Sequence, residues 1–250
     1  MTHVLVTRPL EASLQLADQL GKAGLTAIVM PLYTFAAREP QFDMTTAWSD
    51  TPARKLAVFT SPRAVEFGLS HIPVDRVGDL EFAVVGSATR AKLESSGHTV
   101  HLQAPGGYTS EDLLQIPELV QQPGDAVIFC APGGREALAG GLGALGWNVS
   151  MAMVYERITL PPTAGQIEAI SAADELISIW TSVAALELAC EHLPLAVWAK
   201  ILCTPALVIS SRIQHYLQQM GAASVALADG PGNADLLRSI LQLAGQQDNV

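Results

Sequence analysis

The sequence predicts an α/β protein: two similar doubly wound parallel-sheet domains joined by a two-stranded β connector, with the first βα unit belonging to the C-terminal domain. Three observations carry this expectation. A short β-rich run, a small or hydroxyl residue and a helical stretch ending near glycine recur in that order six times. The runs are continuously apolar rather than alternating, which suits parallel strands covered on both faces. The second half of the chain also repeats the first at nearly one offset.

The first run is Val4-Leu5-Val6-Thr7-Arg8-Pro9. Leu14, Ala17 and Leu20 follow at i, i+3 and i+6, with Gly24 beyond, and this spacing predicts a helix with that face turned to a sheet. The next three runs begin at Ala57, Phe82 and Val127; they end in Thr60-Ser61-Pro62, Gly86-Ser87 and Cys130-Ala131-Pro132. The last two begin at Ile177 and Ala206, ending in Thr181-Ser182 and Ser210-Ser211.

The repeat has three segments in the same order. Thr60-Ser61 and the residues to Glu66 resemble Thr181-Ser182 and the residues to Glu187, 121 residues later. Val85 to Gly97 resembles Ile209 to Gly221 at 124, and Glu111-Asp112-Leu113-Leu114 resembles Ala234-Asp235-Leu236-Leu237 at 123. Two extended stretches stand outside the repeat, Ile28 to Phe35 and Met153 to Leu160, and both abut proline. Pairing them gives a connector of residues 33–37 with 153–160. One domain is then 1–32 plus 161–250, and the other, inserted, is 38–152. A plain division of the chain into halves with one linker near residue 160 is the alternative.

Of the 250 residues, 49% are apolar and 15% charged, too rich a core and too few charges for a disordered chain. The net charge of −10 argues against general nucleic-acid binding, which needs a basic face to displace counterions. No apolar run approaches the roughly 18 residues of a membrane span, and the first residues lack the shape of a signal peptide. Cys130, Cys190 and Cys203 are odd in number and widely spaced, so a disulfide framework or a zinc cluster is not expected; a reducing cytoplasm is.

In doubly wound sheets ligands bind beyond the carboxyl ends of the strands. Those ends carry Thr7, Thr60-Ser61, Gly86-Ser87, Cys130, Thr181-Ser182 and Ser210-Ser211. A hydroxyl there caps the following helix, and the free N–H groups and positive dipole end suit a carboxylate. Each one alone reads as a cap; their repetition at successive strand ends is what points to a polyanionic ligand. Gly134 and Arg135, in Pro132-Gly133-Gly134-Arg135-Glu136, form a candidate nest and clamp for an acidic group. Gly86-Ser87-Ala88-Thr89 is neither a Walker loop nor a dinucleotide fingerprint. Cys130 has no base nearby in sequence and reads as a core thiol, and Trp48, Trp147, Trp180 and Trp198 read as packing anchors. The histidines show no metal spacing, so no metal and no cofactor are expected.

This ordered set of segments resembles the uroporphyrinogen-III synthase family. The residues that carry the resemblance are Val4 to Pro9, Phe59 to Val65, Val85 to Thr89, Tyr108 to Leu114, Gly134-Arg135-Glu136, Val154-Tyr155-Glu156, Thr181-Ser182 and Ala234 to Leu237. No single motif is specific; the order across the whole chain is. The resemblance implies a cofactor-independent lyase that closes linear hydroxymethylbilane into a macrocycle, with loss of water and inversion of the last pyrrole ring. It implies an active site between the domains, Tyr155 as the catalytic hydrogen-bond donor, and Thr7, Arg8, Ser61, Ser87, Thr89, Gly134, Arg135, Thr181, Ser182, Ser210 and Ser211 as substrate-binding positions. Arg63 is a further carboxylate partner to consider, as is Arg212 in a loop where many family members carry Thr-Thr or Pro-Thr instead of Ser210-Ser211. The expected partner is a linear tetrapyrrole polycarboxylate, with a transient contact to the preceding bilane-forming enzyme and a monomeric state by default. Two other readings are a non-catalytic two-domain binding protein for a polyanionic metabolite, and a nucleotide-sugar or phosphoribosyl enzyme, for which no phosphate loop is found.

Overall fold

The computed structural model describes residues 1–51, 53–104, 109–134 and 136–247. Along the chain, β1 (Thr2–Val6), α1 (Leu10–Lys22) and β2 (Thr26–Val29) are followed by β3 (Tyr33–Ala37). Then come β4 (Lys55–Phe59), α2 (Pro62–Gly68), β5 (Glu81–Val84), α3 (Ser87–Ser95), β6 (Leu102–Gln103) and α4 (Ser110–Leu114). Next are β7 (Asp125–Cys130), α5 (Glu136–Ala144), β8 (Asn148–Met153) and β9 (Tyr155–Thr159). The chain continues through α6 (Ala164–Ala172), β10 (Glu175–Trp180), α7 (Val183–His192), α8 (Leu195–Cys203), β11 (Pro205–Val208), α9 (Ser211–Gln219), β12 (Ser224–Leu227) and α10 (Asn233–Gln247).

The chain divides into two units. Unit 1 is Met1–Thr34 with Ile158–Val250, and unit 2 is Phe35–Arg157. Unit 2 holds the sheet β6-β5-β4-β7-β8, and unit 1 holds β12-β11-β10-β1-β2, parallel throughout. If the strands of unit 2 are numbered 1 to 5 from β4, their spatial order is 3-2-1-4-5. Unit 1 has the same order when counted from β10, except that strands 4 and 5 are β1 and β2 from the start of the chain. The repeat in sequence is thus a repeat of one sheet, cut open at different points. The first βα unit lies in the C-terminal sheet because β1 pairs with β10 in register from Thr2↔Glu175 to Val6↔Ile179.

Each central strand feeds two cores, since successive side chains point to opposite faces. On β4, Ala57 and Phe59 join one cluster with Phe129 and Trp48, while Leu56 and Val58 join another with Ile128 and Trp147. On β1, Leu5 packs with Trp180 and Trp198, while Val4 and Val6 pack with Leu16 and Ile240. The four tryptophans are all buried packing residues, as the sequence suggested.

Two sequence expectations need correction. The buried stripe of α1 is Ser13, Leu16 and Leu20, and Leu14 is 55% exposed. At 3.6 residues per turn, Leu14 lies about 120° around the axis from Leu20, so i, i+6 spacing drifts off the face. The stretch from Ile28 to Phe35 is also not one extended segment. It is split at Met30, whose N–H donates to Val6 O at 2.9 Å, between the in-sheet β2 and the connector β3.

β3 pairs with β9 as a separate two-stranded sheet. Leu160 N–H donates to Leu32 O at 2.8 Å, and Arg38 N–H donates to Val154 O at 2.9 Å. As one strand's numbers rise the partner's fall, so the ladder is antiparallel.

Candidate active site

In unit 2 the strand order reverses between β4 and β7, the place where open α/β sheets bind ligands. A cavity of about 540 Å³ lies there, lined by Ser61, Arg63, Ala131, Pro132, Phe35, Tyr155, Glu156 and Arg157. Ser61 follows β4 and Ala131-Pro132 follow β7, so the cavity sits at the carboxyl ends of the two adjacent strands.

Ser61 is the N-cap of α2. Its Oγ accepts from Ala64 N–H at 3.0 Å and lies 3.0 Å from the hydroxyl of Tyr155. Pro62 at the first helical position has no N–H to satisfy and its φ suits the helix. Tyr155 is only 9% exposed. Its ring stacks on Phe67 and meets Phe35 edge-on at 5.7 Å. Arg63 holds its guanidinium over the Phe35 ring, 5.3 Å from the centroid, and pairs with the Glu66 carboxylate. Arg63, Arg157 and Glu156 are the charged residues that line the cavity. Glu156 also pairs with Arg38 at 3.7 Å.

Unit 1 has a second cavity of about 300 Å³, lined by Thr181, Ser182, Val183, Ala184, Ser210, Arg212 and Ile213. It joins the N-termini of α7 and α9. Ser182 caps α7 by accepting from Ala185 N–H at 3.2 Å, and Ser210 caps α9 by accepting from Ile213 N–H at 3.4 Å. Arg212 is exposed there and makes no ion pair among the described residues. Ser211, also exposed, is the first helical residue beside it.

The other expected positions are placed differently. Thr7 is buried and donates its hydroxyl to Ile179 O at 2.7 Å, tying β1 to β10 rather than capping a helix. Arg8 spends its donors on Asn233 Oδ1 and Pro231 O, and burial lowers its pKa. The cap of α3 is Gly86, without a side-chain bond; Ser87 is the exposed first residue and Thr89, 3% exposed, packs inward. Gly134 closes a turn by donating its N–H to Ala131 O at 3.2 Å, with Gly133 at φ +69°. Arg135 lies outside the described residues. Arg157 and Phe35 were missed by residue-type reasoning; the period-2 alternation that puts Arg157 on the same face of β9 as Tyr155 is the signal that finds the former.

Cys130 ends β7 with its side chain in the core cluster of Leu138 and Trp147, where burial pushes the thiol up to about 11. Among the described residues no group of three or more His, Cys, Asp or Glu is arranged to hold a metal ion.

A family model described as Uroporphyrinogen-III synthase HemD matches residues 15–238. The chain belongs to the uroporphyrinogen-III synthase family. It is a cyclising lyase of tetrapyrrole biosynthesis and its substrate is a tetrapyrrole. Uroporphyrinogen-III synthase of Escherichia coli K12 is 27% identical over 246 residues, covering 95% of this chain and 99% of the relative. The fold is shared with a mutant uroporphyrinogen III synthase from the extreme thermophile Thermus thermophilus, at a TM-score of 0.66 and 18% identity over 98% of this chain and all of that one. It is also shared with uroporphyrinogen-III synthetase of Helicobacter pylori 26695, at a TM-score of 0.62 and 19% identity over 97% and 100%.

Proposed function

We propose that Tyr155 donates its hydrogen bond to the departing hydroxyl of hydroxymethylbilane, and that the cavity of each unit, through its arginines or helix N-termini, is a subsite for carboxylates. The observation that carries this is the Tyr155–Ser61 pair within the switch-point cavity. Ser61 Oγ already accepts from Ala64 N–H, and one hydroxyl hydrogen is shared within the pair. With Ser61 donating to the phenol oxygen, the Tyr155 O–H is left over, and it is suited to an oxygen that gains negative charge as its bond to carbon breaks.

With that oxygen lost as water, the electron-rich pyrroles form the new carbon–carbon bond largely by their own reactivity, and free in solution they give the uninverted isomer. The protein's contribution is to hold the chain ends so that the substituted carbon of the last ring attacks. Carboxylates suit Arg63 and Arg157 in one cavity and Arg212 with the capped starts of α7 and α9 in the other.

The protein is further proposed to act as a monomer in the cytoplasm and to receive its unstable substrate by transient contact with the bilane-forming enzyme. The free thiols of Cys130, Cys190 and Cys203 support a reducing compartment. No helix among the described residues is long and apolar enough to cross a membrane.

The test is incubation with freshly made hydroxymethylbilane, oxidation and separation of the porphyrin isomers. Type III product formed faster than the blank is expected, with Arg63→Ala and Arg157→Ala raising KM. Type I product at the blank's rate, or substrate bound and released unchanged, overturns the proposal.

A further inference from the structure

Tyr155 has a counterpart. Tyr33, the first residue of β3, lies with its hydroxyl 3.3 Å from the Oγ of Ser182. The correspondence follows from the backbone. The two hydrogen bonds that close the connector ladder have their acceptors at Leu32 and Val154, 122 residues apart. Their donors, Arg38 and Leu160, are 122 residues apart too. Tyr33 and Tyr155 each follow one of those acceptors. Ser61 and Ser182 are likewise matched, 121 residues apart, each capping the helix after the first strand of its sheet through the N–H three residues on. One arrangement of connector tyrosine and cap serine is therefore built twice, once in each unit.

We propose that Tyr33 is a positioning residue for substrate binding, acting through Ser182. The proposal rests on reading the unit 1 cavity as a carboxylate subsite. A serine hydroxyl turns freely about its C–O bond and is fixed only by its partners. Ser182 Oγ is held on one side by Ala185 N–H and on the other by the phenol of Tyr33. That second hold fixes the direction of the hydroxyl that lines the cavity beside Arg212 and Ser210. Tyr33 itself does not line that cavity, so its effect passes through the serine and concerns binding. The bond-breaking step belongs to Tyr155, and kcat is insulated from the change.

The experiment is steady-state kinetics with hydroxymethylbilane for Tyr33→Phe, Ser182→Ala, Ser182→Thr and the double variant Tyr33→Phe/Ser182→Ala, with Tm for each. Tyr33→Phe is expected to raise KM about three- to tenfold, the scale of one hydrogen bond, with kcat within about twofold and Tm nearly unchanged. Ser182→Ala raises KM at least as much, and Ser182→Thr, which keeps the hydroxyl, raises it less than Ser182→Ala. The double variant matches Ser182→Ala alone, because the tyrosine has lost the group it acts on. A Tyr33→Phe enzyme with the parent's KM, whether or not its Tm falls, overturns the proposal while a raised KM for Ser182→Ala leaves the subsite standing. Multiplying effects in the double variant also overturn it. An unchanged KM for Ser182→Ala removes the subsite and the proposal together.

Discussion

Phe67 lies almost flat against Tyr155, with ring centroids 5.8 Å apart and planes 19° from parallel. The phenol ring is therefore held by packing that does not depend on its hydroxyl. Tyr155→Phe keeps that stack and the edge contact with Phe35, losing one hydrogen bond to Ser61. Stability should fall by no more than about 1 kcal/mol. The rate should fall by roughly a hundredfold or more, the usual weight of a proton donor placed at a leaving group. Thermal unfolding and single-turnover kinetics on one preparation separate the two, and a parent-like kcat removes the hydroxyl from the chemistry.

Asp125 opens β7 almost buried, and its carboxylate accepts from the backbone N–H of Ser49 at 2.8 Å, the Ser49 hydroxyl at 2.6 Å and the Asn148 amide at 2.8 Å. Burial alone raises its pKa, but the donors outweigh it and hold the group below the ordinary aspartate range. A lowered folded-state pKa means stability that is present above the unfolded pKa, near 4, and is lost as pH falls through the folded value. Asp125→Asn should cost about 1–3 kcal/mol at pH 7. The gap from the parent should narrow in denaturant titrations below about pH 4. A gap that stays constant with pH argues against a charged Asp125.

Two glycines should respond in opposite directions to alanine. A Cβ on Gly124 would lie 2.0 Å from the Arg54 carbonyl oxygen, the same oxygen that accepts from Asp125 N–H. No side-chain motion relieves a clash with backbone, so Gly124→Ala should lose about 3 kcal/mol or more, or fail to fold. Gly143, inside α5, has open space around that position, and Gly143→Ala should stabilise by about 0.5–1 kcal/mol. Urea midpoints of the two variants check both signs.

The thiols should separate by reactivity. Cys130, buried with its pKa pushed up to about 11, stays unmodified in the folded protein at pH 8, while the exposed Cys190 and Cys203 take up an alkylating reagent. Peptide mass spectrometry after a short pulse reads all three, and early labelling at Cys130 points to local opening of β7.

The central strands were legible because each is a run of apolar residues with no competing periodicity; β4, β7 and β10 are buried nearly throughout and β1 over Val4, Leu5 and Val6. The edge strands were not. β6 and β12 are short or partly exposed, and local sequence alone does not separate such segments from loops. At the site, the capping serines 61, 182 and 210 were readable, because a hydroxyl before a helix has one strong local use. Thr7 and Arg8 were not, since their partners Ile179, Pro231 and Asn233 are some 170 or more residues away along the chain. Likewise, nothing in the run Pro31-Leu32-Tyr33 announces that its phenol reaches Ser182, 149 residues on.

Unit 1 takes its two N-terminal strands from the start of the chain, and β1 must wait for β10, with Thr2 and Glu175 separated by 173 positions. Unit 2 is one unbroken segment with its own sheet. During synthesis the inserted unit can mature while the opening strand stays unpaired on that side, a stretch of exposed apolar backbone suited to chaperone capture. Protease digestion of ribosome-stalled chains in which residue 157 has cleared the exit tunnel but β10 has not should therefore find the segment from 35 to 157 protected and the first thirty residues cut.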